Sequence, residues 1–228
     1  MKTLLKKLFN RFRKQPETAK EMIIPPANIF NHLVPARHVD GFEFLVPHGD
    51  FSAISLLGIG DWERYVLSPM LHDARTVENA IDVGANVGLI SIPLAKNISG
   101  TVYSFELSPR NAQILAYNTQ RNDIGNIQIF PIAVGNSMES RIIQLNDFTT
   151  LNLLTQTSDA SRIFEESVHI VPTVRLDDLF CGRIPVDLIK VDVDGWDYLA
   201  LSGSAKLIEQ DQPIIYTEYC PEAMQNAN

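Results

Sequence analysis

The chain of 228 residues carries only two cysteines, Cys181 and Cys220, and neither stands in a CxxC or Cys/His spacing. That scarcity excludes a disulfide scaffold and a zinc finger, and it points to a reducing compartment, read here as the cytoplasm. No uninterrupted apolar run approaches the roughly 18 to 20 residues that a spanning helix needs, so an integral membrane helix is excluded. Internal repeats and low-complexity stretches are also missing. With 45% hydrophobic residues the chain has enough apolar material for one sizeable core, or one domain with a small appendage.

Basic charge is scarce after the opening of the chain. Residues 1–20 hold Lys2, Lys6, Lys7, Arg11, Arg13, Lys14 and Lys20 against the single acid Glu17, a balance of +6. The net charge of the whole is −8, so the remaining 208 residues carry −14. A body this acidic argues against general binding to nucleic acid, because phosphate neutralisation needs a basic face. In the opening segment Leu4, Leu5, Leu8, Phe9 and Phe12 fall on one side of a helix with the bases around it. It resembles an interfacial amphipathic helix that would bring residues 1–14 against the inner face of a membrane. Lys6 and Lys7 interrupt the apolar residues, which excludes the unbroken centre of a secretory signal. The competing reading is a solvated leader.

Pro16, Pro25, Pro26 and Pro35 make the next stretch a linker or extended arm. Strands are expected at Phe42 to Val46 and Ala53 to Leu57, then a helix from Trp62 to Leu71. From Ala80 the pattern alternates: strand AIDVG, helix VGLISIPLAKN, strand TVYSFE, helix PRNAQILAYNTQRN, and the strand segment NIQIFPIAV. Strand-like HIVPTVRL, strand VDLIKVDV, a single helix DYLALSGSAKLIEQ and strand PIIYTEY follow. Continuous apolar strands separated by helices imply an α/β, doubly wound, mainly parallel sheet with helices on both faces. The organisation expected is a leader at 1–20, an extension at 21–75 and the main domain at 76–228. Between Gly135 and Thr173 lies a polar segment with two readings: a hairpin with strands at Arg141 to Leu145 and Val168 to Val174, or a lid whose Leu151, Leu153 and Leu154 cover a substrate.

The sharpest feature is Ile81-Asp82-Val83-Gly84-Ala85-Asn86-Val87-Gly88. A buried strand runs into a tight turn and then a helix, and Gly84 and Gly88 let the backbone approach a ligand closely. A dinucleotide fingerprint would need glycines at 84, 86 and 89, but Asn86 and Leu89 occupy two of these. Glu106 ends the strand that follows, where a carboxylate can accept both hydroxyl hydrogens of a ribose. That fits NAD as well as a nucleoside cofactor. Asp82, just before the glycines, favours a cofactor with a positively charged amino-acid moiety. The competing reading of Glu106 is a solvated strand end.

These blocks, together with VYSFELSPRNAQIL, NIQIFPIAVGN, VRLDDL, VDLIKVDVDGWDYLALSGSAKLI and QPIIYTEY in that order, resemble the FkbM family of class I methyltransferases from about Gly41 to Glu222. The resemblance implies a Rossmann-like sheet and S-adenosyl-L-methionine as cofactor, held by Asp82, Gly84, Asn86, Gly88 and Glu106. It also implies that Glu63 lies near the methionine end; an exposed acid at a helix start is the competing reading. The chain departs from the family twice. Asp194 stands where the family has Glu, and the final helix and C-terminal strand pair that the family implies are not reached.

Asp192 and Asp194 end one expected strand and Glu218 the next. Methyl transfer to oxygen needs in-line positioning and loss of a hydroxyl proton, which suits a carboxylate base or a metal-polarised alkoxide. Three carboxylates also suit Mg²⁺. Against this stands a structural role, with Asp194 capping a helix and Glu218 paired to a base. His72 and His169 read as surface or packing residues, and Trp196 and Tyr198 as helix-start packing before acceptor lining. The expected function is O-methylation of a sugar, glycan or polyketide-like hydroxyl. The alternatives are an NAD-linked oxidoreductase and a non-catalytic cofactor-binding module.

If residues 1–14 form an interfacial helix, each Lys or Arg near an anionic surface adds about 1 kcal/mol. Deleting them should abolish flotation with anionic liposomes and leave the rest of the protein folded. Equal flotation of full-length and shortened protein would leave the solvated-leader reading.

Overall fold

The computed structural model describes residues 33–48, 51–144, 155–156, 168–193 and 195–218. The expected leader helix, the arm before residue 33, Leu151, Leu153, Leu154, Asp194 and Cys220 lie outside the described residues.

Strands β1 (Leu33–Arg37) and β2 (Glu43–Pro47) form an antiparallel hairpin. Two helices follow, α1 (Phe51–Ile59) and α2 (Arg64–Asp73). The alternating region then runs β3 (Ala80–Val83), α3 (Ser91–Asn97), β4 (Val102–Phe105), α4 (Pro109–Arg121) and β5 (Ile127–Phe130). Short strands β6 (Ala133–Val134), β7 (Ser140–Gln144), β8 (Thr155–Gln156) and β9 (Val168–Val174) lead to helix α5 (Leu176–Phe180). Strand β10 (Leu188–Val191), helices α6 (Asp197–Ser202) and α7 (Ala205–Asp211) and strand β11 (Ile214–Thr217) complete the described chain.

Five strands pair in the order β11-β10-β3-β4-β5, all parallel. This is the doubly wound Rossmann-like sheet that the apolar runs imply. Side chains alternate between its two faces. Ile81, Val83, Tyr103, Phe105, Ile189 and Val191 pack against Leu176, Phe180, Ala200 and Leu207 of α5, α6 and α7. Ala80, Val102 and Leu188, on the opposite face, pack against Leu67 and Met70 of α2 and Leu94 of α3. Full burial of one such aliphatic side chain contributes roughly 1.5–3 kcal/mol, so both faces are needed to hold the strands.

Helix α4 begins where Ser108 accepts from the Asn111 N–H (3.3 Å) and Pro109 supplies a pre-set first turn. The segment read as one helix from Asp197 to Gln210 is two, because Gly203 meets the loop after β6. A Cβ at Gly203 would lie 1.9 Å from the Gly135 carbonyl oxygen. The polar segment after Gly135 resolves in favour of the hairpin reading, with β7 and β9 antiparallel and β8 on the outer side of β7.

One expected strand is a helix. Ala53 to Leu57 lies within α1, with Ser52, Ala53 and Leu56 buried and Ile54 and Leu57 exposed. That spacing is helical. A short apolar run is ambiguous by itself, and the hairpin surface it covers decides the outcome. The helix expected from Trp62 starts later, at Arg64, because Glu63 takes a left-handed backbone conformation (φ 43°, ψ 42°).

Asn118, fully buried on α4, ties the hairpin to the sheet. Its Oδ1 accepts from the Leu45 N–H (2.7 Å), and its Nδ2 donates to the Leu45 (3.0 Å) and Val87 (2.8 Å) carbonyls. Asn118→Ala leaves these buried backbone groups unpaired, at roughly 1–3 kcal/mol for each. The expected loss is about 3 kcal/mol, read as a lower urea midpoint at unchanged slope. A midpoint within error of wild type would show that the Asn118 bonds do not hold the hairpin, leaving that role to the apolar contacts and to the Asn122 and Arg121 bonds to Glu43.

Candidate active site

The register of the central sheet sets four residues in a row. Val83 pairs with Phe105 on one side and Val191 on the other, and Val191 pairs with Thr217. The next residue on each strand is therefore Gly84, Glu106, Asp192 and Glu218, in the spatial order Glu218, Asp192, Gly84, Glu106, with neighbours about 4.8 Å apart. The chain builds β3, β4 and β5 to one side and then crosses to build β10 and β11 on the other. The reversal lies between β3 and β10, where open α/β sheets leave a crevice at the carboxyl ends of the strands.

The loop from Gly84 to Ile90 fills that position. Gly84, Asn86 and Gly88 have φ of 78°, 49° and 95°. Gly84 cannot be replaced without moving the neighbouring strand end, since a Cβ there would lie 1.9 Å from the Asp192 carbonyl oxygen. Asparagine tolerates the left-handed region, and the Asn86 side chain is fixed by the Asn111 amide (3.1 Å). The Asn86 N–H donates to Glu106 Oε2 (2.8 Å), and the Ser108 N–H donates to Glu106 Oε1 (2.8 Å). Each oxygen of this carboxylate keeps a second lone pair. Burial pushes the Glu106 carboxyl up to about 7, although both backbone N–H groups and the nearby Lys190 cation oppose the rise.

Beneath this row lies a polar layer. Tyr216, Lys190, Asp82 and Ser104 are cross-strand neighbours on the face covered by α2 and α3. Asp82 is fully buried. Its Oδ1 lies 3.1 Å from Lys190 Nζ, and its Oδ2 accepts from Ser91 Oγ at 2.5 Å. Ser104 Oγ donates in turn to Ser91 Oγ (2.9 Å). Lys190 Nζ also donates to the Gly84 carbonyl (2.9 Å) and lies 3.6 Å from Asp192 Oδ2. Burial alone would depress the Lys190 ammonium, but the surrounding carboxylates of Asp82, Asp192 and Glu63 hold it well above its usual value. Asp82, expected to face a cationic cofactor moiety, is fully buried with Lys190 as its partner within the sheet, as a buried carboxylate requires.

Above the layer is an acidic rim. Glu63, half-buried at the start of α2, is raised by burial and by the Asp192 and Glu218 charges, with Lys190 opposing. Glu218 is raised by burial and by Asp192 and Asp197. The turn that presents Glu63 is pinned by Asp61, which bonds the Trp62 N–H (2.9 Å), His38 Nε2 (3.0 Å) and the Arg64 guanidinium. The turn after Asp192 is held by Asp197, whose carboxylate accepts from the Val193 (3.4 Å) and Gly195 (3.1 Å) N–H groups. Trp196 is buried under the Arg141 guanidinium, 4.7 Å from the ring centroid, whereas Tyr198 is exposed.

Of the candidate residues, Glu63, Asp192 and Glu218 are thus brought within electrostatic reach of one another. Gly84, Asn86 and Gly88 lie in the adjoining loop beside Glu106, with Gly88 packed against Leu115 and Ile92. Asp194 lies outside the described residues. Among the described residues no three His, Cys, Asp or Glu side chains group as a metal site. Sequence reasoning missed Lys190, Ser91 and Asp197. A lysine inside the apolar strand LIKV was the available signal, since lysine is rarely buried without a partner.

A family model described as a methyltransferase FkbM domain matches residues 82–227, well over half of the chain. No curated protein matches. Among solved structures the chain is similar to precorrin-8w decarboxylase from Methanobacterium thermoautotrophicum (16% identity, TM-score 0.42, covering 74% of this chain and 69% of that one). It is also similar to precorrin-6y C5,15-methyltransferase from Geobacter metallireducens (12% identity, TM-score 0.41, 75% and 70%). The cofactor-bound protein Rv0187 from MTB matches with 15% identity and TM-score 0.35 over 60% of this chain, which spans only 47% of that protein's length. On the strength of the family match, the chain belongs to the FkbM family of class I, S-adenosylmethionine-dependent methyltransferases.

Proposed function

We propose that the protein transfers a methyl group from S-adenosyl-L-methionine to a hydroxyl of a sugar, glycan or polyketide-like acceptor. The observation that carries the reading is the Glu106 carboxylate beside the glycine loop, 5% exposed and held by a backbone N–H on each oxygen. The second lone pair on each oxygen suits the two hydroxyls of a ribose. This pair of acceptors therefore fits a nucleoside. A dinucleotide fits less well, because the Asn86 N–H is spent on Glu106 and the Asn86 side chain on Asn111.

When bound, S-adenosylmethionine supplies an electrophilic methyl on a positively charged sulfur. Glu63, Asp192 and Glu218 give the crevice a negative rim that attracts such a cation, and Glu63 is assigned to the methionine end. Asp192 and Glu218 stand on adjacent strand ends where an acceptor hydroxyl would be held, and either can take its proton as the oxygen attacks. A carboxylate with a raised pKa is the better base for that step. No part of this scheme passes through a metal ion; Asp194 remains a third acid of the same assignment. The basic leader is assigned to peripheral contact with an anionic membrane, a property separable from methyl transfer. No helix among the described residues is long and apolar enough to cross a membrane.

Two measurements test this reading. The Glu106 pKa lies above its usual value, so burial favours the neutral acid, and the folded protein loses that contribution as pH rises through about 7. Ribose hydroxyls donate best to the ionised form, so binding draws the pKa down and releases a proton. Affinity for S-adenosylhomocysteine should therefore fall as pH drops below about 7, by up to about tenfold per unit. Calorimetry in two buffers of different ionisation enthalpy reads the released proton. Glu106→Gln should bind more weakly above about pH 7, losing roughly 1.5–3 kcal/mol for each charged hydrogen bond, and should approach wild type at lower pH, with its own pH dependence gone. A pH-independent affinity in the wild type would remove Glu106 from the cofactor site.

On the acceptor side, Asp192→Asn and Glu218→Gln keep shape but remove charge. At least one should lower turnover by about 10² to 10⁴ with cofactor affinity largely kept. Near-full activity of both on an acceptor that the wild type methylates would assign catalysis to proximity alone.

A further inference from the structure

Both ends of the cofactor loop are attached to the same buried ion pair. At its start, the Gly84 carbonyl accepts from Lys190 Nζ at 2.9 Å. At its end, Ser91, the first residue of α3, donates through Oγ to Asp82 Oδ2 at 2.5 Å. Lys190 and Asp82 face each other in register across β10 and β3 and meet at 3.1 Å. Four oxygens surround the Lys190 ammonium: the Gly84 carbonyl (2.9 Å), Asp82 Oδ1 (3.1 Å), the Val83 carbonyl (3.5 Å) and Asp192 Oδ2 (3.6 Å). A cation serving only to neutralise Asp82 would not need the other three.

We propose that Lys190 is a positioning residue that, with Asp82, clasps the loop from Gly84 to Ser91 at both ends and links it to the acid Asp192. The proposal deepens the methyltransferase reading, on which its functional consequence rests. The clasp holds the Glu106-facing amide of Asn86 in place and keeps Asp192 at a constant height above the sheet. Asp82 and Lys190 are both buried, at 0% and 6% exposure, so their effect on the site runs through the loop and Asp192.

Removing the lysine alone strands a buried carboxylate and endangers folding. The test therefore uses the compensated double variant Lys190→Met/Asp82→Asn, in which the volumes are kept and both charges are gone. Replacement of a buried pair in this way is often neutral for stability. Two readouts are taken on the full chain: hydrogen exchange of the amides from Ala85 to Gly88 in the ligand-free protein, and affinity for S-adenosylhomocysteine. The expected result is a thermal midpoint near that of wild type, loop amides exchanging at least tenfold faster, and cofactor affinity at least tenfold weaker. A purely structural pair would change the midpoint and leave both readouts alone.

If the double variant does not fold, Lys190→Arg serves instead. It keeps the charge beside Asp82, but its planar fork cannot place donors on the same oxygens, and the same two changes are expected. A folded variant with wild-type loop exchange and wild-type affinity overturns the proposal. If wild type itself binds no S-adenosylhomocysteine while the variant's loop amides still exchange faster, the clasp stands and the cofactor reading falls.

Discussion

A carboxylate buried to zero exposure in the middle of a parallel sheet is the constraint around which this molecule is arranged. Asp82 has no access to water, and an unpaired charge there would cost several kcal/mol even after relaxation. Its compensation comes from two directions: Lys190 on the neighbouring strand and Ser91 on the following helix. The register of β10 on β3 and the seating of α3 over the sheet meet that demand. The strand residues consequently stack in three levels on this face. Ala80, Val102 and Leu188 are apolar, Asp82, Ser104 and Lys190 form the polar level, and Gly84, Glu106 and Asp192 lie beyond the last paired residues. The site is built directly on the polar level.

The electrostatics of the crevice follow from that stacking. Lys190 and Asp82 cancel, so the charge that reaches the surface is that of Glu63, Asp192 and Glu218. Lys190 opposes the upward shifts that burial and mutual repulsion impose on Glu63 and Glu218. It opposes the shift of Glu106 as well, where burial is the larger effect. One cation below the floor thus tempers a cluster of acids that would otherwise favour protonation. A negative rim with a partly neutralised floor suits a cofactor that is itself cationic at sulfur and at its amino group.

The segment ahead of the alternating region is packed into this arrangement. Leu67, Met70 and Ala74 complete the apolar cover of the sheet's second face. Phe44 and Val46 of the hairpin share a cluster with Val87, Ile92 and Ile114, which belong to the glycine loop and the helices on either side of it. Asp61 fixes the turn that delivers Glu63 to the rim. Residues 33–75 therefore supply both a wall of the core and one acid of the site.

The sequence by itself determined the parts that depend on local pattern. Apolar runs of strand length, the glycine turn after Asp82, the acid at Glu106 and the order of the blocks were legible because each is a property of a few consecutive residues. So were the parallel sheet and the family. What only the tertiary structure decided depends on residues far apart in the chain. Ala53 to Leu57 became helix because the surface it covers selects positions 52, 53 and 56. The break at Gly203 exists because the loop carrying Gly135 passes against it. Asp82 reads in sequence as a cofactor ligand, yet Lys190, 106 residues beyond the Gly84 it also holds, claims its carboxylate. No local pattern shows which cation will stand across a strand from which acid. That pairing is fixed by register, and register is settled only when the whole sheet closes its apolar faces.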